Sequence, residues 1–199
     1  MPTSTPEHIQ RRLLRRQRAA LTPQVQQQCA ASMARHLRQQ SVFRNARHIA
    51  LYLPVRGEAD PRGIRRHALP RQQFYLPVLS PFRHDKRLWF IRWNAQTRFR
   101  LNRFRIPEPL PHYRQQRAAR WLDLVVTPLV AFDRSGTRMG MGGGFYDRTF
   151  AFKRRATLHT SRPPLIGIAY DFQAIDKLVR QPWDIPLNGL VSETQFFHF

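Results

Sequence analysis

Four of the chain's nine glycines fall within five residues, Gly140-Met141-Gly142-Gly143-Gly144, and Phe145-Tyr146-Asp147-Arg148 follow directly. Glycine adopts positive φ and lets the backbone come close to a ligand. Successive N–H groups in such a turn form a concavity for anions, and a helix starting there adds its dipole. A phosphate group is the natural occupant. The cluster lacks the Gly-Lys-Ser/Thr ending of a nucleoside-triphosphatase loop. It also comes late in the chain, outside the early strand–turn–helix context of a dinucleotide fingerprint. Arg138 and Arg148 bracket it, and each guanidinium can hold phosphate oxygens with a fork of donors. Asp147 places a carboxylate beside the anion site. That suits a bridging Mg2+, with pairing to a neighbouring arginine as the alternative.

The elements that would hold this loop alternate between helices and strands. Residues 7–21 predict a helix with Ile9, Leu13, Leu14, Ala20 and Leu21 on one arc. Arg11, Arg15 and Arg18 fall together on another arc, which without further information reads as a solvated face. Thr22-Pro23 predicts the cap and first turn of a second helix. In that helix Val25, Cys29, Met33 and Leu37 recur every four residues and should face the core. Buried strands are expected at residues 48–53, 121–127 and 165–169, with others at 74–78, 87–93 and 188–191. Residues 61–69 predict a helix started by proline, and residues 149–155 look helical. Residues 94–120, with Pro107, Pro109 and Pro111, read as loop or covering segment. The terminal Phe196-Phe197-His198-Phe199 is expected to pack on the body. This alternation predicts an α/β fold: a single domain over residues 1–199 with a mostly parallel sheet flanked by helices, three-layered and Rossmann-like.

Composition narrows the function classes. At 199 residues, 42% hydrophobic and 12% aromatic, the chain can bury a sizeable core. No run of about 18 apolar residues is present, so no transmembrane helix is expected. The N-terminal residues lack the apolar core of a secretory signal, and a cytoplasmic location is expected. The lone Cys29 excludes an internal disulfide and a cysteine-built zinc site. Net charge is +22, with Lys86, Lys153 and Lys177 the only lysines. Such a charge draws anions of any size, from small polyanions to nucleic acid. An arginine-rich nucleic-acid-binding protein without enzymatic activity is therefore the competing reading, and it predicts steep salt dependence. It has no helix-turn-helix, RNP-like or zinc-finger signature to support it, and incidental nucleic-acid binding fits an enzyme equally well. The eight histidines, among them His36, His48, His67, His84, His112 and His159, show no metal-ligand spacing. A monomer is expected, because no large apolar stripe stands out.

Arg138-Met139-Gly140-Met141-Gly142-Gly143-Gly144-Phe145-Tyr146-Asp147-Arg148 resembles the signature of the 5-formyltetrahydrofolate cyclo-ligases. Arg11-Arg12-Leu13-Leu14-Arg15, with Arg18-Ala19-Ala20-Leu21-Thr22, resembles that family's basic N-terminal helix. Leu51-Tyr52-Leu53-Pro54-Val55-Arg56-Gly57-Glu58-Ala59-Asp60 resembles its folate-side strand and loop. Leu122-Asp123-Leu124-Val125-Val126-Thr127-Pro128-Leu129-Val130-Ala131-Phe132-Asp133 resembles the strand before its glycine loop, and Trp183-Asp184-Ile185-Pro186-Leu187 its acidic C-terminal segment. The resemblance spans nearly the whole chain. It implies that 5-formyltetrahydrofolate, with or without a polyglutamate tail, becomes 5,10-methenyltetrahydrofolate using Mg·ATP, through a formyl oxygen that is phosphorylated. Such chemistry asks for positioning and charge neutralisation rather than a side-chain nucleophile.

Position by position, the resemblance implies that Arg11, Arg15, Arg138, Met139, Gly140, Met141, Gly142, Gly143, Gly144, Phe145 and Tyr146 bind ATP. It implies that Tyr52, Arg56 and Glu58 line the folate pocket, together with Met141, Gly142, Gly143, Gly144 and Phe145. Asp147 and Asp184 fall at the Mg2+ positions, and Arg138, Tyr146 and Arg148 form the catalytic group. The chain departs from the pattern at Arg11, where lysine is frequent; at Ala59 and Met139, which alter packing; and at Phe145, which lacks the hydroxyl of a common tyrosine. None of these removes a phosphate or metal ligand.

Overall fold

The computed structural model describes residues 6–82, 84–155 and 162–199; Arg83 and His159 lie outside them. Helix α1 (Pro6–Ala20) carries Glu7 in its first turn and Arg18 in its last, each matched to the helix dipole. Helix α2 (Pro23–Gln39) starts as predicted: Thr22 Oγ1 accepts from Val25 N at 3.3 Å, and Pro23 occupies the first turn. The one-turn helix α3 (Ser41–Arg44) follows. The chain then runs through β1 (His48–Ala50), β2 (Gln73–Leu79), β3 (Leu88–Trp93), β4 (Phe99–Leu101), β5 (Pro107–Pro109) and β6 (Gln116–Arg117). After these come β7 (Leu124–Pro128), β8 (Ala131–Phe132), β9 (Arg138–Met139) and the short helix α4 (Phe145–Thr149). Strands β10 (Leu165–Ile168), β11 (Gly189–Val191) and β12 (Phe196–His198) complete the chain.

Eight strands form one sheet in the order β12-β11-β10-β7-β1-β2-β3-β6. The inner block from β11 to β2 is parallel, while β12, β3 and β6 pair antiparallel at the edges. The inner strands are covered on both sides, so their side chains divide with period two between two cores. Ile49, Leu51, Phe74, Leu76, Leu124, Val126, Ile166, Ile168 and Val191 meet Met33, Leu37, Phe43 and Ile64 on one face. Ala50, Tyr75, Val125, Leu165 and Leu190 meet Phe150, Ile185 and Leu187 on the other. The fold is thus α/β with a mostly parallel sheet between two covering layers. No helix among the described residues is long and apolar enough to cross a membrane.

Several expectations change. In α1 the arginine face turns inward: Leu14 and Arg18 are buried and Arg11 and Arg15 half-buried, whereas Leu13 is 52% exposed and Ile9 is exposed too. Periodicity places residues on an arc but does not say which arc meets the body, and here a buried carboxylate decides it. Met33 and Leu37 are buried in the core and Cys29, half-buried, packs against it, whereas Val25 is exposed. Trp121, expected to start a buried strand, instead ends a 3-10 turn and is exposed. Residues 61–69 form a 3-10 helix, Pro61–His67, capped by Asp60. Residues 94–120 are not simply loop: β4 and β5 form a separate hairpin, and β6 closes the main sheet edge. Helix α4 begins inside the glycine motif, and Ala151–Arg155 is a 3-10 helix. The aromatic C-terminus does pack on the body, as the edge strand β12.

The strand order creates the site. From β1 the chain proceeds to β2 and β3 on one side, and from its neighbour β7 it proceeds to β10 and β11 on the other. The connections leaving the carboxyl ends of β1 and β7 diverge, which opens a crevice where α/β folds bind ligands.

Beside that crevice, Asp133 braces the turn between β8 and β9. Its Oδ1 accepts from Ser135 N (2.8 Å), Ser135 Oγ (2.7 Å) and Thr137 N (3.1 Å), and its Oδ2 accepts from Leu178 N (2.9 Å). Burial pushes the carboxyl pKa up, but these hydrogen bonds outweigh it and leave the value below the ordinary one. Replacing Asp133 by Ala should lower unfolding stability at neutral pH by about 2–3 kcal/mol in urea titrations, because it leaves buried donors unpaired. A depressed folded-state value means the carboxylate's contribution is complete above the ordinary aspartate range and is lost as pH falls through it. The gap between wild type and variant should therefore narrow below about pH 4.

Candidate active site

Two adjoining cavities of about 770 Å3 each open at the carboxyl ends of the strands. One is polar and basic: Arg11 of α1, Lys86 and Arg87 from the β2–β3 turn, and Arg138, Arg148 and Arg154 line it, with Asp147 and Asp184. The other is largely apolar, walled by Tyr52, Leu53 and Glu58 after β1, Leu129 after β7, Phe104 of the β4–β5 hairpin, and Phe145 and Tyr146 of α4. Arg138, Gly140, Gly144 and Asp147 line both, so the glycine segment is the partition between them.

The partition is shaped by backbone constraints. Gly142 and Gly144 have φ of +89° and +62°, left-handed values that a side chain strongly disfavours. Gly144 is also the N-cap of α4, so the loop passes straight into that helix. Because α4 has five residues, the loop's own N–H groups and the nearby arginines, rather than a long helix dipole, supply the positive field.

Arg138, Asp147 and Ile185 close a ring of contacts across the partition. Arg138 Nη2 donates to Asp147 Oδ1 at 2.6 Å, Arg138 Nη1 donates to the Ile185 carbonyl, and Ile185 N donates back to Asp147 Oδ1 at 3.1 Å. Asp147 thus pairs with an arginine and keeps Oδ2 for a further ligand. Asp184, in the same cavity, accepts from Gln181 N through Oδ2 at 2.8 Å and keeps Oδ1. Among the described residues no group of three or more His, Cys, Asp or Glu side chains comes together. Asp147 and Asp184, in a basic cavity that also takes in Glu7 and Asp85, nevertheless fit Mg2+, which takes one or two protein carboxylates and completes its shell with phosphate oxygens and water.

The remaining implied residues separate by cavity. Arg11 reaches the basic cavity, where its Nε is buried without a hydrogen-bond partner. Arg15 lines neither cavity; its charge acts on Glu58 instead. Arg148 Nη1 folds back onto the Gly143 carbonyl at 2.9 Å. Met139 and Gly142 line the basic cavity, and Met141, Gly143 and Phe145 the apolar one. Arg56 lines the apolar cavity, while the Tyr52 hydroxyl donates to the Ala59 carbonyl at 2.6 Å and so presents its ring rather than a free proton. Burial pushes the Tyr52 and Tyr146 pKa values up, with Glu58 adding to both, so both phenols remain neutral.

Sequence reasoning passed over three contributors. Arg18, on an arc that reads as a solvated face or as part of the family's basic helix, carries no role in the sequence reading, yet it is buried beneath Glu58. The β4–β5 hairpin delivers Phe104, whose ring meets Phe145 edge-on at 5.9 Å. His84, Lys86 and Arg87 reach the basic cavity from a turn with no motif. Exposed aromatics within an arginine-rich stretch, Phe99 to Phe104, were the available signal for the hairpin.

The sequence profile described as the 5-formyltetrahydrofolate cyclo-ligase family matches residues 4–193. A protein of Escherichia coli strain K12 named 5-formyltetrahydrofolate cyclo-ligase is 36% identical over 188 residues, covering 94% of this chain and 100% of that one. A protein of the same name from Haemophilus influenzae is 36% identical over 179 residues, covering 89% and 92%. The solved structure of Aquifex aeolicus 5,10-methenyltetrahydrofolate synthetase superposes with a TM-score of 0.77 at 25% identity, covering 96% of this chain and 91% of that one. A Mycoplasma pneumoniae 5,10-methenyltetrahydrofolate synthetase shares the fold, with a TM-score of 0.70 at 22% identity and coverage of 95% and 99%. Since the match takes in the glycine partition and the segments that wall both cavities, the chain belongs to the 5-formyltetrahydrofolate cyclo-ligase family.

Proposed function

We propose that this protein converts 5-formyltetrahydrofolate and ATP into 5,10-methenyltetrahydrofolate, ADP and phosphate. The observation that carries the reading is the pair of cavities, one basic and one apolar, that share the wall of Arg138, Gly140, Gly144 and Asp147. A triphosphate suits the first and a reduced pterin ring the second. Their reacting ends would meet at that wall.

The formyl oxygen attacks the γ-phosphorus, and ADP departs with the bond it breaks. Nitrogen N10 of the folate then attacks the formyl carbon and gives up its proton, the ring closes, and phosphate leaves with the former formyl oxygen and takes up that proton. Phosphorylation turns a poor leaving group into a good one. The protein's part is to align the two reactants and to balance charge that moves between phosphate oxygens. Arg138 is held rigidly by Asp147 and Ile185, so its guanidinium is already oriented when charge develops. Arg11, with an unpartnered Nε, and Arg148 line the basic cavity, which supports a role for both on the phosphate chain. Asp147 and Asp184 would hold Mg2+, which supplies charge neutralisation on the phosphates when bound.

Absorbance of the methenyl product tests the reading. It should rise only when 5-formyltetrahydrofolate, Mg2+ and ATP are all present. A folded protein that forms no product, or forms it without nucleotide, would overturn the proposal. Asp147→Asn keeps the shape but removes the charge that anchors Arg138, and kcat should fall by roughly 100-fold, the scale of losing one preorganised charge contact. Its thermal midpoint should stay within a few degrees of wild type. Phe104→Ala removes the edge-on contact with Phe145, and an aromatic contact is worth about 0.5–1.5 kcal/mol. The KM for folate should rise about 2- to 12-fold while the KM for ATP is unchanged.

A further inference from the structure

Helix α1 serves both cavities. Arg11 lines the basic one, and two turns further on Arg18 lies behind the wall of the apolar one. Arg18 is 1% exposed. Its Nη1 donates to the Leu129 carbonyl at 3.2 Å, while Nε and Nη2 are buried without a hydrogen-bond partner. Its counter-charge is Glu58, with Nη2 3.7 Å from Oε1. Gly57 permits this approach: a Cβ there would lie 2.5 Å from the Arg18 carbonyl oxygen. The α1 backbone therefore rests directly on the turn that presents Glu58.

Three carboxylates line the apolar cavity. Glu108 is occupied by Leu79 N, Arg100 and Asn102, and Asp147 belongs to the partition. Glu58 spends Oε2 on Val55 N at 3.1 Å and keeps Oε1. A carboxylate in an apolar wall would take up a proton unless a charge opposed it. Burial raises the Glu58 pKa above its ordinary value, and the charge of Arg18, the Val55 N–H and then the charge of Arg15 each pull it part of the way back. Tyr52 and Tyr146, the other titratable groups around it, stay neutral.

We propose that Arg18 is a positioning residue, which never touches substrate but keeps Glu58 as an oriented carboxylate whose Oε1 accepts the N–H groups of the pterin ring. This rests on the folate reading of the apolar cavity. The same helix supplies an internal control, because a merely loosened α1 would also displace Arg11 and disturb nucleotide binding.

The experiment measures kcat and both KM values from about pH 6 to 8 for wild type, Arg18→Lys, Arg18→Met, Glu58→Gln and the double variant Arg18→Met/Glu58→Gln. Arg18→Met should raise the KM for folate about tenfold or more, most strongly at the acid end, and leave the KM for ATP within about twofold. Arg18→Lys should recover most of the loss. In the Glu58→Gln background, Arg18→Met should add less than about twofold. Equal rises in both KM values, or independent multiplication of the two changes, would overturn the proposal. Should Arg18→Met fail to fold, the cycle is run with Arg18→Lys: its smaller effect on folate should vanish in Glu58→Gln, and persistence there would overturn the proposal. Inactive wild-type protein would instead refute the folate reading itself.

Discussion

Strands β1 and β7 lie side by side and parallel, and the chain leaves them in opposite directions. That divergence is the constraint on which the rest depends. Both strands are buried on both faces, so they cannot carry polar chemistry along their length. Polar groups must gather where the strands end, and the chain between β1 and β2 must cross away from the chain between β7 and β10. The turn bearing Glu58 follows one strand and the glycine segment follows the other, more than seventy residues later. Two cavities of opposite character then share one thin wall, because one loop, lacking side chains at its glycines, can be approached from both sides.

The wall is stiffened by charge as well as by the packing of Phe145 and Tyr146 against the core. The Arg138 side chain is largely buried and pairs with Asp147, which also receives Ile185 N. A pair of this kind gives little net stability, since desolvation offsets much of the attraction. Its value lies in fixed direction: the guanidinium is held in one orientation at the wall the two cavities share. Arg18 and Glu58 repeat the arrangement behind the apolar cavity, with a longer separation.

The strong arginine bias has a structural use beyond anion attraction. Arg18, Arg71, Arg117, Arg138, Arg154 and Arg180 each donate to a backbone carbonyl, those of Leu129, Arg44, Trp121, Ile185, Trp183 and Ser135. The chain is rich in 3-10 turns, short strands and irregular connections, which leave carbonyls without ladder partners. A planar guanidinium on a long stem reaches such groups and still keeps donors for other partners. Part of the +22 charge is therefore internal bracing of loops.

Short-range pattern was enough for the parallel core strands, the Thr22-Pro23 helix start and the glycine loop after a buried strand, because apolar runs, caps and positive-φ residues act within a few residues. The same locality explains what the sequence misplaced. Nothing in α1 says whether its leucines or its arginines face the body; that depends on Glu58, forty residues away, which needs a counter-charge once buried. Nothing in residues 94–120 says that Phe104 will meet Phe145, since their encounter requires β5 to lie beside β2 and α4 to follow the glycine turn. The sequence by itself determined the alternation of strands and helices, the family and the position of the glycine loop after a buried strand. Only the tertiary structure decided which charges are paired, which cavity each residue enters and that one wall serves both, because these follow from strand order, and strand order is a long-range outcome.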